Sequence, residues 1–139
     1  MTTYYKVLHR CKDGKLLSIR NLLWGGIDYC GDMATVEYKV GEFVEPTIKN
    51  SKLYCFPQLD NVRSFISPLL YYRDFIRYIE IYACEVKNPL VCSLICESLN
   101  PTNILSLFWN GGFSYFKIPP QGTIECDSIK LLQKVNIYE

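Results

Sequence analysis

Arg77-Tyr-Ile-Glu-Ile-Tyr-Ala-Cys-Glu-Val86, closed by Lys87-Asn88-Pro89, is the stretch that decides the fold. It is the longest run of strand-favouring residues in the chain, and proline stops it sharply. Alternation sends Ile79, Ile81 and Ala83 to one face, and Tyr78, Tyr82, Cys84 and Val86 to the other. Both faces are largely apolar, so the strand belongs inside a sheet that is covered on two sides. Glu80 is the charged residue in its middle. Edge exposure, or an ion pair with Arg20, Lys39 or Arg77, accounts for a carboxylate there.

Upstream, Tyr4-Tyr-Lys-Val-Leu-His9 and Lys15-Leu-Leu-Ser-Ile-Arg20 read as antiparallel strands about the turn signal Asp13-Gly14. Leu22 to Asp32, bracketed by Gly25-Gly26 and Gly31, reads as a surface loop that carries Trp24. Ala34 to Val40 alternates, with Val36, Tyr38 and Val40 on one face, and Glu42 to Glu45 extends that strand to Pro46. Leu53 to Phe56 is a short strand stopped by Pro57. Leu59, Val62, Phe65 and Ile66 then fall at helical spacing, with Asp60-Asn61 near the start where polar caps belong. Pro68 ends that helix by Ser67.

Downstream, Leu90 to Cys96 is an apolar run whose cysteine and β-branched content favours strand over a buried helical turn. Ile104 to Trp109, the turn Asn110-Gly111-Gly112 and the strand Phe113 to Ile118 follow. Gly122 to Cys126 and Ile129 to Ile137 close the chain as two strands about Asp127-Ser128, although Ile129, Leu132 and Val135 would also share one side of a helix. The fold class is therefore α+β in a single domain, residues 1–139. Its sheet is mainly antiparallel, of about eight strands, with one or two helices.

Composition narrows the function. Hydrophobic residues make up 49% of 139 positions, enough to build a core without staples. Fifteen Lys and Arg balance fourteen Asp and Glu, which argues against a nucleic-acid binder that works by phosphate neutralisation. Seven cysteines, an odd number, lie partly inside apolar runs and follow no secretory leader. They read as reduced thiols of a soluble, cytoplasmic protein, and no apolar run is long enough for a membrane span.

The segments Tyr4-Tyr-Lys-Val, Asp13-Gly-Lys-Leu-Leu-Ser18, Val36-Glu-Tyr-Lys-Val-Gly-Glu42, Lys52-Leu-Tyr-Cys-Phe56 and Val62-Arg-Ser-Phe65 occur in that order. Ile81-Tyr-Ala-Cys-Glu-Val-Lys-Asn-Pro89 and Pro120-Gln-Gly-Thr-Ile-Glu-Cys-Asp-Ser-Ile-Lys-Leu-Leu132 continue the series. This layout resembles an uncharacterised family of small proteins of microbes and their viruses. The resemblance covers nearly the whole chain apart from Leu22 to Asp32 and Leu90 to Phe113. It implies a virus-associated setting and no particular chemistry.

Each reactive constellation has a plainer structural reading. His9, the single histidine, would have to serve any Cys-His pair with Cys11, Cys55 or Cys84, and it reads better as a surface or partly packed side chain. Cys92 and Cys96 could share a helical face, with Cys84 or Cys126 brought in by the fold, but zinc needs a second close pair. No metal and no cofactor are expected. Glu80, Glu85, Glu97 and Asp127 could supply an acid/base pair, with Glu80 raised by burial. His9-Arg10, Tyr71-Tyr72 and Glu80 or Glu85 would map onto ADP-ribosyl-transfer enzymes, without their Ser-Thr-Ser signature. Phosphate-cradling loops are absent.

Eleven tyrosines, seven phenylalanines and two tryptophans are more than a small core must hold. Trp24, Tyr71, Tyr72, Trp109 and Tyr115 sit near turns or breaks, where contact surfaces are placed. The first expectation is a non-catalytic protein-binding or assembly module, a viral structural or accessory protein, with a protein partner or self-association and neither nucleic acid nor membrane. The alternative is a small enzyme of ADP-ribosyl-transferase-like or hydrolase type, with a carboxylate in a cleft.

Overall fold

The computed structural model describes residues 2–19, 35–48, 51–67, 77–92, 95–96, 116–117 and 121–136. The strands are β1 (Tyr4–Arg10), β2 (Leu16–Ser18), β3 (Glu37–Tyr38), β4 (Phe43–Val44), β5 (Leu53–Cys55) and β6 (Ile79–Lys87). They continue with β7 (Leu90–Val91), β8 (Ile95–Cys96), β9 (Phe116–Lys117), β10 (Ile124–Cys126) and β11 (Ser128–Val135). One helix among the described residues, α1 (Leu59–Ile66), lies between β5 and β6. The expected α+β class with mainly antiparallel pairing holds. None of the described helices is long and apolar enough to cross a membrane.

Six strands form the main sheet in the order β3-β2-β1-β6-β11-β4, and β5-β10-β7 and β8-β9 form two smaller ones. The organising strand β6 lies between β1 and β11, antiparallel to both. Its even-numbered face places Tyr82 and Cys84 against Leu8, Ile129 and Leu131 and against Leu53, Cys55 and Cys126 of the second sheet. Its odd-numbered face places Ile81 against Val7, Phe56, Val62 and Ile66, so α1 covers that side. Cover on both faces is what the doubly apolar pattern demands. The second sheet is also tied to β1 directly, through paired backbone hydrogen bonds of 2.7 and 2.8 Å between Tyr5 and Phe56.

The helix follows its apolar spacing: Val62 and Ile66 are buried, while Leu59 and Phe65 pack at the margin. Its boundary residue is Gln58, which gives no side-chain cap, so Asp60 and Asn61 do not cap it as expected. Asp60 instead pairs with Arg63 one turn on, at 2.7 Å. The strand expected over Ala34 to Val40 and extended to Glu45 is also corrected. Gly41, at φ +88°, turns the chain, and Phe43–Val44 crosses to pair with β11 at the far edge of the sheet. Val40 is consequently exposed while Val36 and Tyr38 are buried.

Two turn glycines separate backbone strain from crowding. Gly14 (φ +91°) follows β1 with nothing within 4 Å of where a Cβ would stand. Gly122 (φ +84°) would place a Cβ 2.5 Å from Cγ and Nδ2 of Asn61 on α1. Gly14→Ala therefore meets only the left-handed backbone cost, about 1 kcal/mol. Gly122→Ala adds a steric clash and should lose about 2–3 kcal/mol. Paired thermal melts should show the larger drop for Gly122→Ala; equal drops would contradict the contact with α1.

Candidate functional site

Register brings the first site together. Leu8 stands opposite Glu80 across β1 and β6, so Arg10, two residues on, shares that face of the sheet. Arg10 Nε donates to Glu80 Oε2 at 2.9 Å and its Nη2 to Oε1 at 3.0 Å, a two-point grip. The Tyr82 hydroxyl donates to Glu80 Oε1 at 3.0 Å and accepts from Arg10 Nη2 at 3.2 Å. Lys134 Nζ of β11 adds a further positive charge 4.0 Å from Oε1. Glu80 is only 14% exposed at its side chain. The Arg10 hydrogen bond holds its carboxyl below the usual carboxylate value, against the opposing effect of burial.

The partners expected for Glu80 are thereby corrected among the described residues: it pairs with Arg10 and Lys134, not with Lys39 or Arg77 or with solvent at an edge, while Arg20 lies outside the described residues. The other expected carboxylates do not join it. Glu85, five positions along the same strand, points to the opposite face. Asp127 is held by Lys52 and by Asn88 Nδ2 at 2.7 Å. Glu97 lies outside the described residues. His9 also differs from expectation, because β1 lies inside the sheet: the ring is fully buried, edge-on to Tyr78 at 6.4 Å, and burial pushes its pKa down. His9 and Arg10 therefore face opposite sides of the sheet and share no site.

Beside Arg10, an open groove of about 460 Å³ runs along the β1–β2 turn and β3. Arg10, Lys15 and Lys39 line it together with Asp13 and Glu37, so its charges nearly cancel. Among the described residues, no cluster of His, Cys, Asp or Glu could hold a metal ion.

A second polar group lies deeper and was not foreseen. Lys6 of β1 is buried between the two sheets, and its Nζ donates to the Tyr54 carbonyl at 2.6 Å and sits 5.5 Å from the centre of the Tyr38 ring. The signal was present in the alternation, since Tyr4, Lys6 and Leu8 share a face. The thiols of Cys55, Cys84 and Cys126 surround the amine. Burial pushes Cys84 up to about 12, and contact with Cys55, with burial, pushes Cys126 up as well. Such thiols are protonated and unreactive.

The third feature is on the surface. Leu90 is 61% and Val91 82% exposed on β7, which is an outer strand of the second sheet among the described residues. Within the run Leu90 to Cys96, Leu90–Val91 and Ile95–Cys96 are strand, in two different sheets, and Leu90 and Val91 are outside the core. At the other apolar rim, Phe43 of β4 lies beneath Lys87 Nζ at 4.2 Å and Lys130 Nζ at 5.6 Å, and Glu42, Glu45 and Pro46 flank it. Charges and proline of this kind blunt an edge strand; β7 has Asn88 and Pro89 before it and no charge next to it in sequence, its cross-strand neighbour being Glu125 opposite Leu90. The expected contact residues Trp24, Tyr71, Tyr72, Trp109 and Tyr115 lie outside the described residues.

Comparison with protein families, with curated proteins and with solved structures gives no match to this chain.

Proposed function

We propose that this chain is a protein-binding module that assembles with further copies of itself through the edge strand β7. The observation that carries the reading is the adjacent pair Leu90 and Val91, the two most exposed of the large hydrophobic residues described. An edge strand offers unpaired backbone donors and acceptors, and apolar side chains beside them favour pairing with another strand. The capture of Glu80 supports the same reading, since its oxygens are engaged by Arg10, Tyr82 and Lys134 within the fold. An intracellular setting, including a viral one, is part of the proposal and rests on the cysteine usage and the layout of the segments.

Light scattering over a concentration series tests it. The wild-type chain should gain mass as concentration rises, and the double variant Leu90→Lys, Val91→Lys should remain monomeric with an unchanged melting temperature, because lysine on an exposed edge opposes strand addition. A wild-type chain that stays monomeric at the highest concentration, or a variant that associates equally well, contradicts the proposal.

A further inference from the structure

Lys6 stands where an ordinary lysine does not. Its amine is enclosed by β1, β3, β5, β6 and β10, and its direct hydrogen bond goes to a backbone carbonyl of β5. The groups facing it are Tyr38 from β3, Cys55 from β5, Tyr82 and Cys84 from β6 and Cys126 from β10, with apolar Leu16, Ile129 and Leu131 around them. Burial raises Tyr38 and Cys84, and contact with Cys55, with burial, raises Cys126, so these groups stay in their uncharged forms beside the amine. The nearby carboxylates are engaged elsewhere: Glu80 by Arg10 and Asp127 by Lys52. Among the described residues no carboxylate pairs with Lys6.

We propose that Lys6 is an acid-sensitive latch on the seam between the two sheets: it is held there as a neutral amine, and it takes up one proton when β5 and β10 lift away from β1. An unpaired ammonium in such a place loses its hydration without gaining a counter-charge, whereas the neutral amine still donates to the Tyr54 carbonyl. Burial accordingly lowers the amine from its ordinary value of 10.5. The opened form binds more protons than the closed form between the lowered value and 10.5, so closure strengthens as pH rises through that window. One proton makes the open-to-closed ratio change by up to about tenfold per pH unit.

The useful range lies above 6.5, the ordinary value of His9, and below 9.0, that of the cysteines, whose own shifts act with the opposite sign. Hydrogen exchange at the amides of β5 and β10, corrected for the intrinsic pH dependence of exchange, should show opening that increases toward the acid end of this range by several-fold per unit. Lys6→Met should flatten that dependence. Nitrogen NMR of the wild-type Lys6 amine, which needs no variant, should show the neutral form near pH 8. A charged Lys6 amine in the closed wild-type fold, or an unchanged pH dependence in Lys6→Met, would overturn the latch.

Discussion

Replacing Leu8 by alanine should cost this protein about 3 kcal/mol, within the 2–5 kcal/mol range of large-to-small changes in well-packed cores. Leu8 is fully buried on β1, between β2 and β6, and packs in the same cluster as Leu16, Tyr82 and Leu131. Truncation there removes apolar contacts from the two inner strands, which cannot close the gap without breaking register with their neighbours. The loss is a large fraction of the roughly 5–15 kcal/mol that holds an ordinary domain together. Urea unfolding should show a lower midpoint at an unchanged slope. Leu132→Ala supplies the contrast, because that side chain is partly in water beside the irregularity in β11. It should lose under about 1 kcal/mol; a loss equal to that of Leu8→Ala would contradict the two-sided packing.

The second large effect is at Glu80. Glu80→Gln leaves Arg10 without an anion and should destabilise by about 1–2 kcal/mol. The lower end of that range is appropriate, since Arg10 is 38% exposed and water screens the charge it would be left with. The pH dependence carries a sign. Glu80 is depressed below its ordinary 4.5 by Arg10, so its stabilisation is full above that value and is lost as pH falls through the depressed one. His9 is also lowered, from 6.5, and because the neutral ring is the buried form its stabilisation declines as pH falls below 6.5 toward the lowered value. The wild-type chain should therefore weaken as pH falls through both ranges. Glu80→Gln should lose the Glu80 share of the lower one, while the contributions of His9 and of Asp127, lowered by Lys52, remain. Unfolding free energies measured from pH 7 to pH 3 decide this: an unchanged loss through the lower range in the variant would mean that the carboxylate is not held as described.

Much of the fold was legible where local chemistry and tertiary packing agree. Strand β6 announced its central place because both of its alternating faces are apolar, and Asp13-Gly14 and the spacing of Leu59, Val62 and Ile66 marked a turn and a helix. The partner of Glu80 was not legible. Arg10 is 70 residues away in sequence, and only the register of β1 against β6 brings it to the carboxylate. Buried His9 was misjudged for the same reason, since nothing local says that β1 lies between two strands. Phe43 and Val44 read as a continuation of the preceding strand because alternation cannot distinguish a straight strand from one that Gly41 redirects to another edge. Leu90 and Val91 carry the composition of a core, and only their place on an outer strand exposes them. Lys6 could have been found, since a charged residue between Tyr4 and Leu8 on one strand face already implied a buried amine.

The proposed function depends on Glu80 being bound into the fold by Arg10. A double-mutant cycle of Arg10→Met and Glu80→Gln, read by urea unfolding at neutral pH, tests it most directly. The geometry predicts that the two substitutions fall short of additive, with a coupling of about 1 kcal/mol or more. Strict additivity would contradict the account, because the carboxylate would then be uncommitted and available for chemistry.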